Sequence, residues 1–212
     1  MTLHTYPRFI TLEGGEGAGK STVLSALREV LHETGHEVVS TREPGGTPLS
    51  EQIRGLLLDP HHETPTIDTE LLLMFAARAQ HVRETILPAL ERGAWVISDR
   101  FTDASYAYQG AARGGDPVFI AELERRVVGI APALTLLLDV PVDIGLQRAR
   151  GRGAADRIEG ERDDFFERVR EGYLARAGAE PARFRVIDAT QSPQSVAADA
   201  VAHVRRLIGQ SS

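Results

Sequence analysis

The chain has 212 residues, of which 42% are hydrophobic and 25% charged, the balance of an ordinary globular protein rather than of a disordered one. Its formal net charge of −6 argues against a nucleic-acid partner bound over the whole surface. The lack of cysteine excludes disulfides, thiolate catalysis and cysteine–zinc sites, and no apolar run approaches the roughly 20 residues of a membrane span.

Short apolar runs alternate with helical patterns along the chain. The runs predicted as strands are 8–13, 37–41, 94–98, 134–140 and 184–188. The helical patterns cover 21–34, roughly 49–58, 69–92, 116–128, 142–150, 163–177 and 193–208. Strands covered on both faces are apolar throughout, so this alternation predicts an α/β fold: a three-layer α/β/α sandwich with a central five-stranded parallel sheet, in one domain of residues 1–212.

Glycine, proline and arginine positions refine these elements. Gly35 and Gly93 are predicted to cap the first and third helices, and Pro88 to kink the third helix or mark its last turn. Residues 148–161, here called the lid segment, place several arginines among glycines and alanines, and we predict a mobile flap there. These arginines are Arg148, Arg150, Arg152 and Arg157.

Residues 14–21, GGEGAGKS, match the phosphate-binding loop pattern G-x-x-x-x-G-K-[ST]. The glycines let backbone N–H groups turn toward phosphate oxygens, Lys20 supplies charge to the β- and γ-phosphates, and the Ser21 hydroxyl ligates Mg²⁺. Lys20 is the chain's only lysine, beside 23 arginines, and the bulkier planar guanidinium is no equivalent there. The pattern predicts a site for a nucleoside triphosphate. Its residues are Gly14, Gly15, Glu16, Gly17, Ala18, Gly19, Lys20, Ser21 and Thr22.

The strand predicted over 94–98 is followed by Asp99. At the carboxyl edge of a parallel sheet this side chain lies beside the phosphate-binding loop, where it holds Mg²⁺ through water. Without the loop, an aspartate at a strand end is more often a cap or a turn residue. The sequence therefore predicts Mg²⁺ held by Ser21 and Asp99.

The lack of asparagine narrows the class of nucleotide-binding protein. There is no Asn-Lys-x-Asp motif of the kind with which GTPases read guanine, and a motor usually needs more chain for an output domain. What remains is phosphoryl transfer to a small acceptor, which requires an acceptor pocket, arginines on the transferred group and a lid that excludes water. A non-catalytic ATP-dependent module is the alternative from another class.

Six blocks, in order, resemble the thymidylate kinase (dTMP kinase) family over essentially the whole chain. They are EGGEGAGKS at 13–21, TREPGGT at 41–47, FAAR at 75–78, DRF at 99–101, YQG at 108–110 and the arginine-rich 148–159. The resemblance implies transfer of the ATP γ-phosphoryl group to dTMP with Mg²⁺, in a cytoplasmic homodimer to which the apolar stripe of 69–92 contributes. A kinase for another nucleoside monophosphate or a deoxynucleoside is the alternative.

The resemblance also implies residue roles. Glu16 lies near the 3′-hydroxyl of the acceptor sugar, and Arg100 bridges the acceptor phosphate and the transferred group. Arg54 binds the dTMP phosphate, while Arg78 and Gln109 read the thymine edge. The other implied acceptor-site residues are Arg42, Pro44, Phe75, Ser105 and Tyr108. By themselves Arg54 and Arg78 would be solvated surface residues, and Phe75 part of an apolar core face.

Two assignments stay open. The family usually places its base-stacking aromatic four residues before the base-reading arginine, which here is Met74, whereas Phe75 is three before it. Either Met74 covers the thymine face as a thioether, or the helix brings Phe75 over it. The catalytic arginine is expected from the lid segment, and we favour Arg152 and Arg157; a solvated face paired with Asp156, Glu159 and Glu161 is the alternative.

Overall fold

Five parallel strands form one sheet, in the order β2-β3-β1-β4-β5, in the computed structural model, which describes residues 3–149 and 156–210. The strands are β1 His4–Glu13, β2 Val38–Arg42, β3 Trp95–Asp99, β4 Ile130–Asp139 and β5 Phe184–Asp188. The predicted runs are confirmed, although β1 and β4 begin earlier, with His4 opposite Ile130. The added part of β1 is exposed or half-buried, so no apolar run marks it.

Helices α1 to α8 lie between successive strands, and α9 follows β5. They are α1 Lys20–His32, α2 Pro48–Leu58, α3 Ile67–His81, α4 Leu87–Glu91, α5 Thr102–Ser105, α6 Pro117–Leu123, α7 Val142–Ala149, α8 Asp163–Ala179 and α9 Pro193–Gln210. π-Helical turns at Val82–Ile86, Tyr106–Ala112 and Glu124–Val128 extend α3, α5 and α6. Among the described residues, no helix has the length and apolar character needed to cross a membrane.

The helix boundaries confirm most of the predicted ends. Gly35 and Gly93 have left-handed φ angles of 74° and 85° just beyond α1 and α4. Pro88 lies in the last helical stretch of its segment, directly after a π-helical turn. The helical stretch 102–112 was not predicted, because its small and polar residues form no apolar stripe.

The sheet is covered on both faces, which confirms the three-layer prediction. On one face, Ile10 and Leu12 of β1 belong to a buried cluster with Leu27 of α1 and Val204 of α9. On the other face, Phe9 packs in a cluster with residues of α3 and α4. Burial of each such Leu, Ile or Phe side chain contributes roughly 1.5–3 kcal/mol, so both layers stabilise the sheet.

Strand register brings the functional segments together. Leu12 of β1 and Arg42 of β2 both pair with Asp99 of β3. The carboxyl ends of these strands therefore lie side by side, and the chain leaves them as the phosphate-binding loop, the segment that begins at Glu43, and Arg100. Trp95, the chain's only tryptophan, begins β3 at the opposite edge of the sheet and is buried.

Candidate active site

The phosphate-binding loop connects β1 to α1, as predicted. Gly17 has a φ of 69°, and a Cβ there would overlap the carbonyl oxygen of Gly145 in α7, so only glycine fits. Gly19 is the N-cap of α1 and has no side chain to satisfy the first N–H groups of the helix. The loop therefore presents backbone donors and the positive end of a helix to an anion.

Lys20 begins α1, and its Nζ donates to the carbonyl oxygens of Gly14 and Gly15, each at 3.2 Å. Burial lowers the pKa of Lys20, and the positive charge of Arg100 lowers it further. A bound anion would offset both effects. Ser21 is exposed on the first turn of the helix, where its hydroxyl is open to a ligand.

Arg100 follows Asp99 with a φ of 69°, which is uncommon for a side chain other than glycine. Its backbone N–H donates to Leu12 O at 2.8 Å. Its guanidinium donates to Gly14 O at 3.1 Å and to Glu16 Oε1 at 2.7 Å. It also lies over the Tyr108 ring, 4.8 Å from the ring centroid. The strained backbone thus aims this cation at the phosphate-binding loop.

Glu13 and Tyr173 complete the surroundings of Arg100. Glu13 accepts from the Phe101 N–H and from the Tyr173 hydroxyl, both at 2.7 Å, and Tyr173 accepts from Arg100 Nη1 at 3.0 Å. Burial, together with the nearby charge of Asp103, raises the pKa of Glu13 to about 8. Sequence reasoning gave neither residue a role, although Glu13 stands in the motif block directly before the loop.

One cavity of about 290 Å³ opens between the loop and helices α2, α3 and α5. Most predicted site residues line it: Glu16, Gly17, Ala18, Gly19, Lys20, Ser21, Arg42, Pro44, Arg54, Met74, Arg78, Asp99, Arg100, Ser105, Tyr108 and Gln109. Gly14, Gly15, Thr22, Phe75 and Arg157 are not among its lining residues, and Arg150 and Arg152 lie outside the described residues.

A buried ion pair fixes Arg78 at one end of this cavity. Its Nε donates to Glu43 Oε2 at 2.5 Å, Nη1 donates to Ser105 Oγ and Nη2 to Phe101 O, each at 3.0 Å. Glu43 also contacts His81 Nδ1 at 2.9 Å. Burial alone would raise the pKa of Glu43, but the charge of Arg78 and the hydrogen bonds hold it below its usual value.

Sequence reasoning missed the supports of Arg78. His81 lies one helical turn after Arg78 on α3, and its Nε2 is 2.7 Å from Thr41 Oγ1. Glu43 lies in the TREPGGT block at 41–47, but the sequence alone indicates no role for it. The spacing of His81 from Arg78 could have indicated that the two side chains are neighbours, because residues three apart on a helix share a face.

Met74 and Phe75 occupy different places. Met74 lines the cavity, whereas Phe75 is 2% exposed and packs in the core beneath Arg78, whose Cζ is 4.7 Å from the ring centroid. The core interpretation of Phe75 is therefore confirmed, and Met74 is the neighbour that faces the open space. The expected contact between Phe75 and the base finds no support in this placement.

Arg42, Arg54 and Arg100 place three cations at the same cavity. Arg42 is half-exposed and pairs with Glu51 at 3.0 Å, and Arg54 donates to Pro44 O at 3.0 Å. Burial, together with the charge of Arg42, lowers the pKa of Arg54. This crowding of positive charge favours an anionic ligand.

Asp99 lies at the carboxyl end of β3, as predicted, and lines the cavity. Its Oδ1 is buried and has no hydrogen-bond partner among the described residues. The same residues contain no group of three histidines, aspartates or glutamates able to hold a metal ion. A buried oxygen acceptor next to a phosphate site fits Mg²⁺, which usually keeps water and substrate phosphates as ligands.

The described part of the lid segment turns toward α2 and α3. Arg157 Nε donates to Leu57 O and Nη2 to Glu70 Oε2, each at 2.7 Å. Of the expected acidic partners, Glu161 instead pairs with Arg113. Arg157 therefore contacts Leu57 and Glu70 and does not line the cavity that contains Lys20. Its expected contact with the transferred phosphoryl group stays a prediction.

Arg148 lies on the other side of the loop. Its Nη1 donates to Ala189 O at 2.8 Å, and both residues line a second cavity of about 220 Å³ together with Thr22 and Gln191. This cavity adjoins the phosphate-binding loop through Gly17 and Gly19.

The chain is similar to known proteins along most of its length. A family model described as thymidylate kinase matches residues 12–200. The thymidylate kinase of Alcanivorax borkumensis is 57% identical over 190 residues, 89% of this chain and 91% of that protein. That of Chromohalobacter salexigens is 58% identical over 200 residues, 93% and 94% of the two chains. A crystal structure of thymidylate kinase from Ehrlichia chaffeensis superposes with a TM-score of 0.76 at 34% identity, covering 93% of this chain and 97% of the other.

Proposed function

The chain belongs to the thymidylate kinase family, and we propose that the 290 Å³ cavity is where it transfers the γ-phosphoryl group of ATP to dTMP. It is an ATP-dependent kinase that phosphorylates dTMP to dTDP. One observation carries the site assignment: Lys20 and the phosphate-binding loop share a single cavity with Arg78 and Gln109. A triphosphate bound at the loop and a base bound by Arg78 and Gln109 would therefore lie in the same cavity.

In this proposal the phosphate-binding loop holds the donor. Its backbone N–H groups and Lys20 take the β- and γ-phosphates. The second cavity, lined by Arg148 and Gln191, lies on the far side of the loop and takes the adenine. The bound triphosphate would thus run along the loop from that cavity toward Arg100.

Mg²⁺ fits beside this donor. Ser21 and Asp99 are the residues that would hold it, Ser21 through its hydroxyl and Asp99 through the unpartnered Oδ1 by way of water. When bound, the ion neutralises charge that develops on the phosphate oxygens. The chain's own contribution here is a fixed acceptor at the end of a buried strand.

The acceptor half holds dTMP. Arg54 and Arg100 take its phosphate and keep it close to in-line distance, with Arg42 as a further cation. Glu16 accepts from the sugar hydroxyl. No general base is needed, since the acceptor phosphate is already an anionic nucleophile at neutral pH. Pro44, Met74, Ser105 and Tyr108 enclose the base and deoxyribose.

The lid segment supplies the last cation. Because Arg157 is engaged by Glu70 and Leu57, we propose that Arg152 closes on the transferred group and that closure expels water. Three described residues of the lid segment support closure over this cavity, since Asp156, Ile158 and Glu159 line it.

A homodimer formed through α2 and α3 is part of the proposal. Leu49 and Leu56 lie seven residues apart on α2 and are 49% and 54% exposed, and Leu72 on α3 is 48% exposed. Because α2 and α3 pack against each other, these leucines would form one apolar patch, and a contiguous patch of this kind marks an interface. We place the enzyme in the cytoplasm, where its nucleotide substrates are found.

An assay of coupled ADP release tests the function. With ATP and Mg²⁺, we expect release that depends on dTMP and is much weaker with dGMP or thymidine. A preference for another nucleotide would instead support the alternative kinase, and ATP binding without dTMP-dependent release would indicate a regulatory module.

A further inference from the structure

The Glu70 carboxylate does not line the cavity, but it contacts Gln109, which does, and Arg157 of the lid segment. It lies on α3 and is only 1% exposed. Its Oε1 accepts from Gln109 Nε2 at 2.8 Å and from Arg113 Nε at 2.9 Å, and Oε2 accepts from Arg157 Nη2 at 2.7 Å. Gln109 lines the cavity, so Glu70 reaches that space only through its neighbour.

The charge state of Glu70 decides how the Gln109 amide is oriented. Burial alone would raise the pKa of Glu70, but the hydrogen bond from Gln109 and the charge of Arg113 hold it below its usual value. An ionised carboxylate has no proton and only accepts hydrogen bonds. The Gln109 amide must therefore turn its NH₂ group toward Glu70, which leaves its carbonyl oxygen as the acceptor offered to a ligand.

Arg78 faces the same cavity with donors only. Its Nε donates to Glu43, its Nη1 to Ser105 and its Nη2 to Phe101 O. A guanidinium has five N–H groups, so two remain that can donate to a ligand. A donor from Arg78 beside an acceptor from Gln109 complements a base edge that carries a carbonyl next to an N–H. Thymine and uracil present that edge through O4 and N3–H, whereas cytosine presents the reverse through N4–H₂ and N3.

We propose that Glu70 is a specificity-determining positioning residue, which excludes cytosine nucleotides by fixing the Gln109 amide with its oxygen toward the base. The inference rests on the proposed function, because it takes dTMP as the acceptor in this cavity. The same carboxylate holds Arg157 of the lid segment, so a purely structural role for Glu70 is the competing explanation.

Glu70→Gln tests the proposal, because the new amide can donate as well as accept and frees Gln109 to turn over. The measured quantity is the ratio of kcat/KM for dUMP to that for dCMP, two nucleotides that differ at this edge alone. We expect the ratio to fall about tenfold or more. The ratio for dTMP to dUMP should stay within about twofold, since both bases carry O4 and N3–H. A structural defect would lower turnover of all three nucleotides and leave both ratios unchanged, which would overturn the proposal.

Two further variants secure the result. Glu161→Gln removes the other acidic partner of Arg113 without touching Gln109, and both ratios should keep their wild-type values. Gln109→Met removes the amide, and adding Glu70→Gln to it should not lower the dUMP-to-dCMP ratio further, because Glu70 acts through that amide. If Glu70→Gln does not fold, an unchanged ratio in Gln109→Met would still overturn the proposal. A wild-type chain that fails to phosphorylate dTMP would contradict the proposed function itself.

Discussion

Arg100 Nη2 donates to Glu16 Oε1 at 2.7 Å and so joins the residue after β3 to the phosphate-binding loop. The two side chains are 16% and 20% exposed, so water screens the pair less than it would screen a surface ion pair. An acceptor phosphate that enters the cavity must share Arg100 with Glu16. The pair therefore holds the guanidinium in place for the substrate before it arrives.

Loss of either central cation should abolish most turnover. Lys20→Ala and Arg100→Ala should each lower kcat more than about a hundredfold with folding retained, because both charges act on oxygens that gain negative charge in the transition state. Steady-state assays with circular dichroism of each variant measure this. Arg92→Ala, which removes an exposed partner of Glu37, is the matched control with near-normal turnover. Near-normal turnover in a folded Lys20 or Arg100 variant would refute the site.

Glu43→Gln should weaken dTMP binding more than it slows chemistry. Without the buried carboxylate, Arg78 loses its ion pair and its fixed orientation, so we expect KM for dTMP to rise about tenfold with a smaller change in kcat. The exposed Glu37→Gln serves as the control. An unchanged KM in the Glu43 variant would mean that Glu43 is not needed to hold Arg78 in the orientation that binds dTMP.

Asp99→Asn should raise the Mg²⁺ concentration needed for half-maximal rate by about tenfold. Asp99 has a carboxylate oxygen without a protein partner, and the substitution removes the negative charge that the two oxygens share, so water bound to the ion is held less tightly. A Mg²⁺ titration at saturating ATP and dTMP measures the shift, and excess Mg²⁺ should restore part of the rate. An unaltered Mg²⁺ dependence would remove Asp99 from the metal site.

Glu13 should make the stability of the chain depend on pH. Its folded pKa of about 8 lies above its unfolded value of roughly 4.3, so between these values the folded state holds a proton that the unfolded state has released. The free energy of unfolding contributed by this group therefore falls as pH rises from about 5 to 8. Thermal unfolding should show Tm of the wild type falling relative to Glu13→Gln across that range, and parallel profiles would contradict the assignment.

Leu56→Glu should shift the chain toward monomers. A charge placed among the exposed leucines of α2 and α3 would be buried unpaired in the proposed dimer. Light scattering coupled to size-exclusion chromatography measures the change. Val118→Glu on α6, equally apolar and 74% exposed, is the comparison, and dissociation by that variant alone would move the interface to α6.

Much of the fold could be predicted from the sequence because the local sequence pattern and the tertiary packing favour the same secondary structure in most segments. Apolar runs mark the strands, and glycines mark the helix ends at Gly35 and Gly93. The stretch 102–112 escaped prediction because tertiary contacts stabilise it: Tyr108 is buried against Phe165 and Tyr173, although its own segment shows no apolar stripe. Its helical state depends on partners far along the chain, which periodicity cannot register.

Most of the residues that line the cavity could be named from the sequence because they belong to recognisable motifs. The buried residues that hold these side chains in place could not be named from the sequence. A glutamate such as Glu43 or Glu70 is expected at the solvated surface, and only the fold shows that it is buried. The hydrogen-bond partner of Arg157 was likewise not predictable from the sequence. The place of Arg157 among the arginines of the lid segment predicts a phosphate contact, but no sequence pattern predicts its hydrogen bond to Glu70, 87 positions away.

The position of Trp95 gives this molecule a built-in reporter. The only indole begins β3, at the edge of the sheet opposite the phosphate-binding loop, and it is 2% exposed. Its fluorescence emission should therefore change when the protein unfolds and should not change when a nucleotide binds. A spectral change on adding dTMP would reveal that saturation of the cleft deforms the β-sheet scaffold itself.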